Sequence, residues 1–351
     1  TKREWWCYSE NTKLSVKFIF LQKNVNVYIL CKKKGRKDMM RNRKEAGRVK
    51  KITFGKAVKK YHNYYLMLIP GIIFIIMFLY LPIFFNFIAF KDYKIFMGPF
   101  GSPWCGLENF EQLFRTPDFI RILKNTFALC FWKILVGFPI PIILALLLNE
   151  VANQFFKRVV QTVVYLPHFI SWVIIASLAS TLLSPTDGAV NIFLTKLGME
   201  PVFFMGDSNY FRGVLVLTDI WKEMGWSAII YLAALSGVPV DLYEAATVDG
   251  ANKLAKMRYV TIPCIMPTII IMLLLRIGGI LNSNFEQVFT MYSPAVYDVA
   301  DIIDTYVYRM GIIKTDYGVS AAAGLFKSLV SFAMVVTCNW LTKKSGQESL
   351  F

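Results

Sequence analysis

Lys133, Asp219, Lys222, Glu223, Arg276 and Lys327 stand inside long apolar stretches of the sequence, and Glu286 follows just after one. An ionisable side chain at membrane depth is costly, so each is a candidate for ligand recognition or charge pairing. Asp219, Lys222 and Glu223, at i, i+3 and i+4, share one helix face and are expected to neutralise one another. Lys133 and Lys327 admit two readings. Either their ammonium groups snorkel to the headgroups, or, with Lys222 and Arg276, they line a cavity that favours an anionic solute. Asn282, Asn284, Glu286 and Gln287 would then supply hydrogen bonds to hydroxyl groups of that solute.

Other chemistries find little support. His62 and His168 are the only histidines, too few for a His-based triad or a His-rich metal site. Cys7, Cys31, Cys105, Cys130, Cys264 and Cys338 are scattered without a CxxC pair. A membrane-embedded enzyme needs a nucleophile–base or metal constellation, which these residues do not provide. A secondary transporter or channel predicts paired mid-membrane acids and repeated halves, and neither is clear. The chain also lacks a G-x-x-x-x-G-K-[ST] phosphate loop, so it does not itself supply an ATP site.

The elements that must position these residues are membrane helices. Of 351 residues, 56% are hydrophobic and 18% charged, below the roughly 25% charge of soluble domains. The apolar residues fall in blocks near the roughly 20 needed to cross a bilayer. Six spans are predicted: Leu66 to Phe90, Thr126 to Asn149, Val159 to Ser184, Gly213 to Leu235, Pro263 to Phe285 and Val319 to Leu341. Prolines 70, 82, 139, 141 and 167 are compatible with them, because neighbours can satisfy the freed carbonyls. The expected fold is all-α, a polytopic membrane protein with six transmembrane helices.

Charge sets the expected orientation. Residues 1–62 hold 19 of the 39 Lys and Arg but only 4 of the 23 Asp and Glu. A basic tail against an apolar span follows the positive-inside rule rather than signalling nucleic acid. The tail 1–62 is therefore expected in the cytoplasm, with residues 1–38 a leader, fragment or disordered extension. Residues 63–342 form the membrane domain, and 343–351 a second cytoplasmic tail. The connections 150–158 and 236–262 then lie inside, and 91–125, 185–212 and 286–318 outside. Tyrosines and tryptophans near the span ends are expected to anchor in the lipid interface.

The inner connection 242–267 contains the most specific signal, EAATVDGANKLAKMRYVTIPCIMP from Glu244 to Pro267. Leu242 to Val248 reads as a short helix ended by Asp249-Gly250, where glycine accepts a left-handed conformation. A second helix is expected from Ala251 to Tyr259, with Pro263 and Pro267 at the start of the next span. The pattern makes a helix–turn–helix knob with small Ala245, Ala246 and Ala251 and polar Glu244, Asp249, Lys253 and Arg258. It resembles the EAA loop of binding-protein-dependent ABC importer permeases. Glu244, Ala245, Ala246, Asp249, Gly250, Ala251, Pro263 and Pro267 stand at matching places. Met257 replaces the common Phe and Ile262 the common Leu, both apolar.

WCGLENF (Trp104 to Phe110), Asn125-Thr126, ALLLNE (Ala145 to Glu150), YLPH (Tyr165 to His168), IWKEMGW (Ile220 to Trp226) and DTYVYRMG (Asp304 to Gly311) extend the likeness. Together they are similar to the sugar-type branch that takes up oligosaccharides, from about residue 55 to the end. The resemblance implies a non-catalytic permease subunit in a bacterial cytoplasmic (inner) membrane. It implies that Glu244, Ala245, Ala246, Asp249, Gly250, Ala251, Met257, Pro263 and Pro267 dock a cytoplasmic ATPase dimer. Partners would be that ATPase, which holds ATP and magnesium, a second related permease and an extracellular solute-binding protein, with no nucleic acid. ATP-driven closure of the ATPases would rock the two permeases between inward and outward access. The cargo would be an oligosaccharide, with another small solute as the alternative. Lys133, Arg276 and Lys327 point to an acidic sugar such as a uronate.

Overall fold

A computed structural model describes residues 60–282 and 285–344, together with the backbone of three strands in the basic tail. The strands are β1 (Arg3–Ser9), β2 (Leu14–Phe20) and β3 (Leu30–Lys32). They form an antiparallel sheet in the order β1-β2-β3, with Arg3 opposite Phe20 and Val16 opposite Cys31. This meander lies within residues 1–38, the stretch expected as a leader, fragment or disordered extension. Val16, Phe18, Ile19 and Phe20 supply strand-type residues there. Asn284 lies outside the described residues.

From residue 60 onward the described chain is helical. The first span, expected from Leu66 to Phe90, runs from His62 to Phe90, beginning with α1 (His62–Ile75) and continuing through a π turn at Ile76–Tyr80. That turn precedes Pro82, whose missing N–H would otherwise interrupt a regular ladder.

The elements from Tyr80 onward pack around one long helix. They are α2 (Glu108–Arg115), α3 (Pro117–Leu135), α4 (Pro139–Glu150), α5 (Gln154–Tyr165), α6 (Trp172–Leu182), α7 (Ala189–Lys196), α8 (Ser208–Ser236), α9 (Val240–Val248), α10 (Lys253–Ile280), α11 (Phe285–Met291), α12 (Tyr297–Ala300), α13 (Ile303–Tyr308) and α14 (Tyr317–Lys344). The central α8 touches α3, α4, α5, α10 and α12. α14 packs on α10, α13 and α2. Among the described residues, four helical stretches are long and apolar enough to cross a membrane, and two bent pairs bring the number to six if each pair is one span.

The outward surface supports that reading. Only 28%, 17% and 17% of the most apolar windows of Pro117–Glu150, Lys253–Ile280 and Tyr317–Lys344 are buried. Leu147, Leu275, Leu329 and Phe332 each expose half or more of their surface. In water such a belt would drive aggregation, whereas lipid tails solvate it. The buried residues form separate clusters along the bundle. Ala145, Leu146, Ala228, Tyr231, Leu235 and Ile265 close the end next to α9. Leu129, Ala176, Phe211, Leu215, Ile220 and Val288 fill the other half.

The third span departs from expectation. The segment predicted as one helix from Val159 to Ser184 breaks between α5 and α6, with an angle of 106°. A 3-10 turn at Leu166–Phe169 contains Pro167, Ile170 is extended, and the Ser171 hydroxyl accepts from the Ile174 N–H to start α6. α6 has 11 residues, about 16 Å of rise, too short to cross alone. α8 reaches the break because Gly225 lies against it: a Cβ on Gly225 would sit 2.0 Å from the Val164 carbonyl oxygen. Small residues permit such close helix approach in membranes.

Two other boundaries differ. α3 begins at Pro117 rather than near Thr126, with Pro at its first turn, where a missing N–H costs nothing. The fifth span starts at Lys253, so Pro267 lies inside a helix rather than at its first turn. A π turn at Met257–Thr261 precedes Pro263 and takes up the local mismatch.

Candidate functional site

Two groups of polar residues stand apart from the apolar packing. The first is the knob between α8 and α10, where the chain turns by 71° from α8 into α9. α9 ends at Asp249, and Gly250 adopts φ +77°, the left-handed geometry a side chain would strain. The Gly250 N–H donates to the Thr247 carbonyl at 3.0 Å and the Ala251 N–H to Ala246 at 2.9 Å, completing the C-terminal cap. α10 then begins at Lys253, two residues later than expected. The Asn252 side-chain oxygen accepts from the Ala255 N–H at 2.8 Å, a cap that its residue type favours.

The knob is held on one side and bare on the other. Leu242, Tyr243 and Met257 pack against the Ala145–Ile265 cluster, and the Tyr243 and Thr261 hydroxyls lie 3.1 Å apart. Glu244, Ala245, Asp249, Gly250 and Pro263 are exposed, while Ala246, Ala251 and Pro267 are half-buried. Val248 is 88% exposed and Leu254 73%, an apolar rim around acids without an ion pair among the described residues. Lys253 lies 3.8 Å from Glu150 at the end of α4. This brings the tail of the ALLLNE segment beside the loop.

The second group is buried. Lys133 on α3 has no exposed surface, and its ammonium donates to Asp219 at 2.9 Å and to the Gln287 side-chain oxygen at 2.6 Å. Arg276 on α10 donates to the other carboxylate oxygen of Asp219 at 2.9 Å. The Gln287 amide donates in turn to the Leu215 carbonyl at 2.7 Å and the Thr218 hydroxyl at 2.8 Å. One carboxylate on α8 thus joins α3 and α10, and Gln287 adds α11. The snorkelling expected for Lys133 does not occur, because Asp219 and Gln287 inside the bundle replace the headgroups.

Local charge cancellation along α8 does not occur either. Lys222 turns to the broken span and donates to the carbonyls of His168 at 2.7 Å and Ile170 at 2.5 Å. It also lies 5.4 Å above the Trp172 ring. Carbonyls released at membrane depth need partners, and Lys222 supplies one to both. Glu223 instead meets His168 Nδ1 at 3.1 Å, and the His168 ring stacks on Trp226 at 4.5 Å. Arg276, with 28% of its side chain exposed, shares a narrow cavity of about 40 Å³ with Glu223, Tyr231 and Met272.

Lys327 does not snorkel: its ammonium pairs with Asp304 on α13, and both are mostly buried. Asn282 and Glu286 are exposed on either side of the undescribed Asn284. Sequence reasoning missed the acids Asp301 and Asp304, which answer Arg309 and Lys327. Asp304 and Arg309 had stood only in the DTYVYRMG segment. Arg309 pairs with buried Asp301 at 2.5 Å, and burial pushes the nearby Tyr292 phenol up to about 12. The tyrosine stays protonated, so this pair faces a neutral hydroxyl at physiological pH.

With this geometry in place, comparisons with known proteins add an independent line. Residues 137–346 match the family described as binding-protein-dependent transport system inner membrane component. The chain is 44% identical to the polygalacturonan/rhamnogalacturonan transport system permease protein YteP of Bacillus subtilis (strain 168), over 82% of this chain and 89% of that one. Among solved structures, it is similar to a chain of a bacterial ABC transporter involved in import of the acidic polysaccharide alginate. The TM-score is 0.77 and the identity 41%, over 82% of this chain and 98% of that chain. A second structure, of the bacterial alginate transporter in complex with an alginate pentasaccharide-bound periplasmic protein, gives a TM-score of 0.79. Its identity is 40%, over 85% of this chain and 99% of that chain.

Proposed function

This chain belongs to the family of binding-protein-dependent transport system inner membrane components, and from that premise we propose how its two polar regions divide the work of import. It is a non-catalytic permease subunit of a sugar ABC importer in the bacterial inner membrane. Its partners are a separate ATPase, a second permease and an external binding protein that delivers the cargo.

The knob from Glu244 to Pro267 docks the ATPase. The observation that carries this reading is its one-sided exposure: Leu242, Tyr243 and Met257 anchor it to the bundle, while Glu244 and Asp249 face outward without an ion pair among the described residues. A rigid helix fixed at its base transmits displacement of a docked partner into α8 and α10. The knob then faces the cytoplasm, as does the basic tail. ATP and magnesium act on the ATPase subunit.

The cargo is an oligosaccharide with acidic units. Arg276 supports this reading, since it is the network cation with surface in a cavity. Lys133, Lys222 and Gln287 are consumed inside the bundle and serve to hold the helices that border the path. Asn282 and Glu286 remain available for hydroxyl groups, and Asn284 joins them by sequence alone. The cavity of about 40 Å³ is far below the roughly 300 Å³ of a small-molecule site, so passage requires α8 and α10 to part. Reconstitution of the whole importer in proteoliposomes tests the proposal. ATP-dependent uptake of uronate trisaccharides is expected to fall roughly tenfold or more in Arg276→Glu, the order of one lost charge-assisted contact. Uptake of a neutral trisaccharide changes less. Equal loss of both, or of neither, would remove the charge argument.

A further inference from the structure

A cleft of about 460 Å³ opens where the start of α14 meets α13 and the π turn Arg309–Ile313. It is distinct from the cavity at Arg276 and shares no lining residue with it. Phe285, Tyr308 and Tyr317 supply its aromatic walls, and Asn282, Asp304 and Lys327 its polar groups. The size falls within the roughly 300–1,000 Å³ of small-molecule sites.

The walls are fixed by their neighbours. Phe285 stacks on Phe289 at 5.1 Å between centroids and lies 5.7 Å from Tyr308, and Tyr317 meets Tyr93 edge-on at 5.4 Å. Aromatic faces carry negative potential and accept the C–H face of an apolar ring. Lys327 and Asp304 neutralise each other, with 13% and 15% of their side chains exposed. Neither attracts a free ion strongly, yet the ammonium has three donors and the carboxylate two acceptor oxygens, more than one mutual contact uses. A ligand matched to this lining has no net charge at the point of contact, one C–H face and several hydroxyls. Those are the properties of a pyranose ring.

We propose that this cleft is a second saccharide subsite, which holds one sugar unit of the cargo by ring stacking and by hydroxyl hydrogen bonds to Lys327, Asp304 and Asn282. The proposal rests on the carbohydrate reading above and adds a site that recognises the ring rather than the carboxylate. It follows that acidic and neutral saccharides use the cleft alike, in contrast to Arg276.

Equilibrium binding to the intact importer complex in nanodiscs, without the binding protein, tests this with two labelled probes, galacturonate trisaccharide and maltotriose. Ile312 lines the cleft and is 63% exposed, so Ile312→Trp fills the space without opening the core. Lys327→Met with Asp304→Leu replaces the ion pair by apolar groups of similar size, which avoids an unpaired charge. Each variant is expected to weaken by roughly tenfold whichever probes the unaltered complex binds, about the loss of a hydrogen bond and a stacking contact. The two probes are expected to lose by similar factors. Unchanged affinity in both variants overturns the subsite. Release of the second permease from the Ile312→Trp complex on size exclusion also overturns it, because the cleft would then be a subunit interface. Failure of the unaltered complex to bind either saccharide overturns the carbohydrate reading itself.

Discussion

The knob and the buried network use the same residue types to opposite ends. Glu244 and Asp249 lie on the surface of a nine-residue helix and its cap, with none of their charge consumed inside the described chain. Asp219, on the helix that leads into the knob, spends both carboxylate oxygens on cations from two other helices. Solvation makes the difference. A carboxylate in water tolerates an empty coordination shell until a partner arrives, whereas one in a low-dielectric bundle must be satisfied on folding. Exposed charge is therefore available for recognition, and buried charge fixes geometry.

Removing Asp219 attacks that contrast hardest. Asp219→Ala leaves Lys133 buried without its counter-charge, and a loss of about 3–5 kcal/mol in stability is expected, the usual effect of breaking one side of a buried pair. Thermal unfolding of the detergent-solubilised complex reads it, and Lys133→Met in the same chain should recover most of the loss. If Asp219→Ala alone unfolds like the unaltered protein, the network does not hold the helices. A smaller effect is expected at the helix crossing that supports the network. Gly225→Val drives a side chain into the Val164 carbonyl and should cost about 1–3 kcal/mol, the range of overpacking. The smallest belongs to the surface. Lys253→Ala removes the 3.8 Å contact with Glu150, whose partners are 82% and 42% exposed, and should change the unfolding midpoint by less than about 1 kcal/mol equivalent.

The same contrast explains what the sequence could reveal. The knob is local: Asp249-Gly250 ends one helix, Asn252 caps the next, and all of its signals lie within 24 residues of chain. The presence of six apolar segments was legible for a similar reason, since composition alone decides whether a segment suits lipid. Partner choice in the network was not. Lys133 meets residues 86 and 154 positions away, and the i, i+3 and i+4 rule favoured neighbours on α8 that the fold sends elsewhere. The break at Ile170 was hidden likewise. Pro167 in a membrane segment suits a kink as well as a break, and the carbonyl partner that stabilises the break is Lys222, more than 50 residues later.

The most direct test of the account is whether the knob binds the ATPase through its exposed acid. Affinity-tagged permease complexes carrying Glu244→Arg should retain the second permease and the unaltered unfolding midpoint, because Glu244 makes no ion pair within the described chain, yet should lose the co-purifying ATPase. Undiminished recovery of the ATPase with Glu244→Arg would contradict the docking role of the loop.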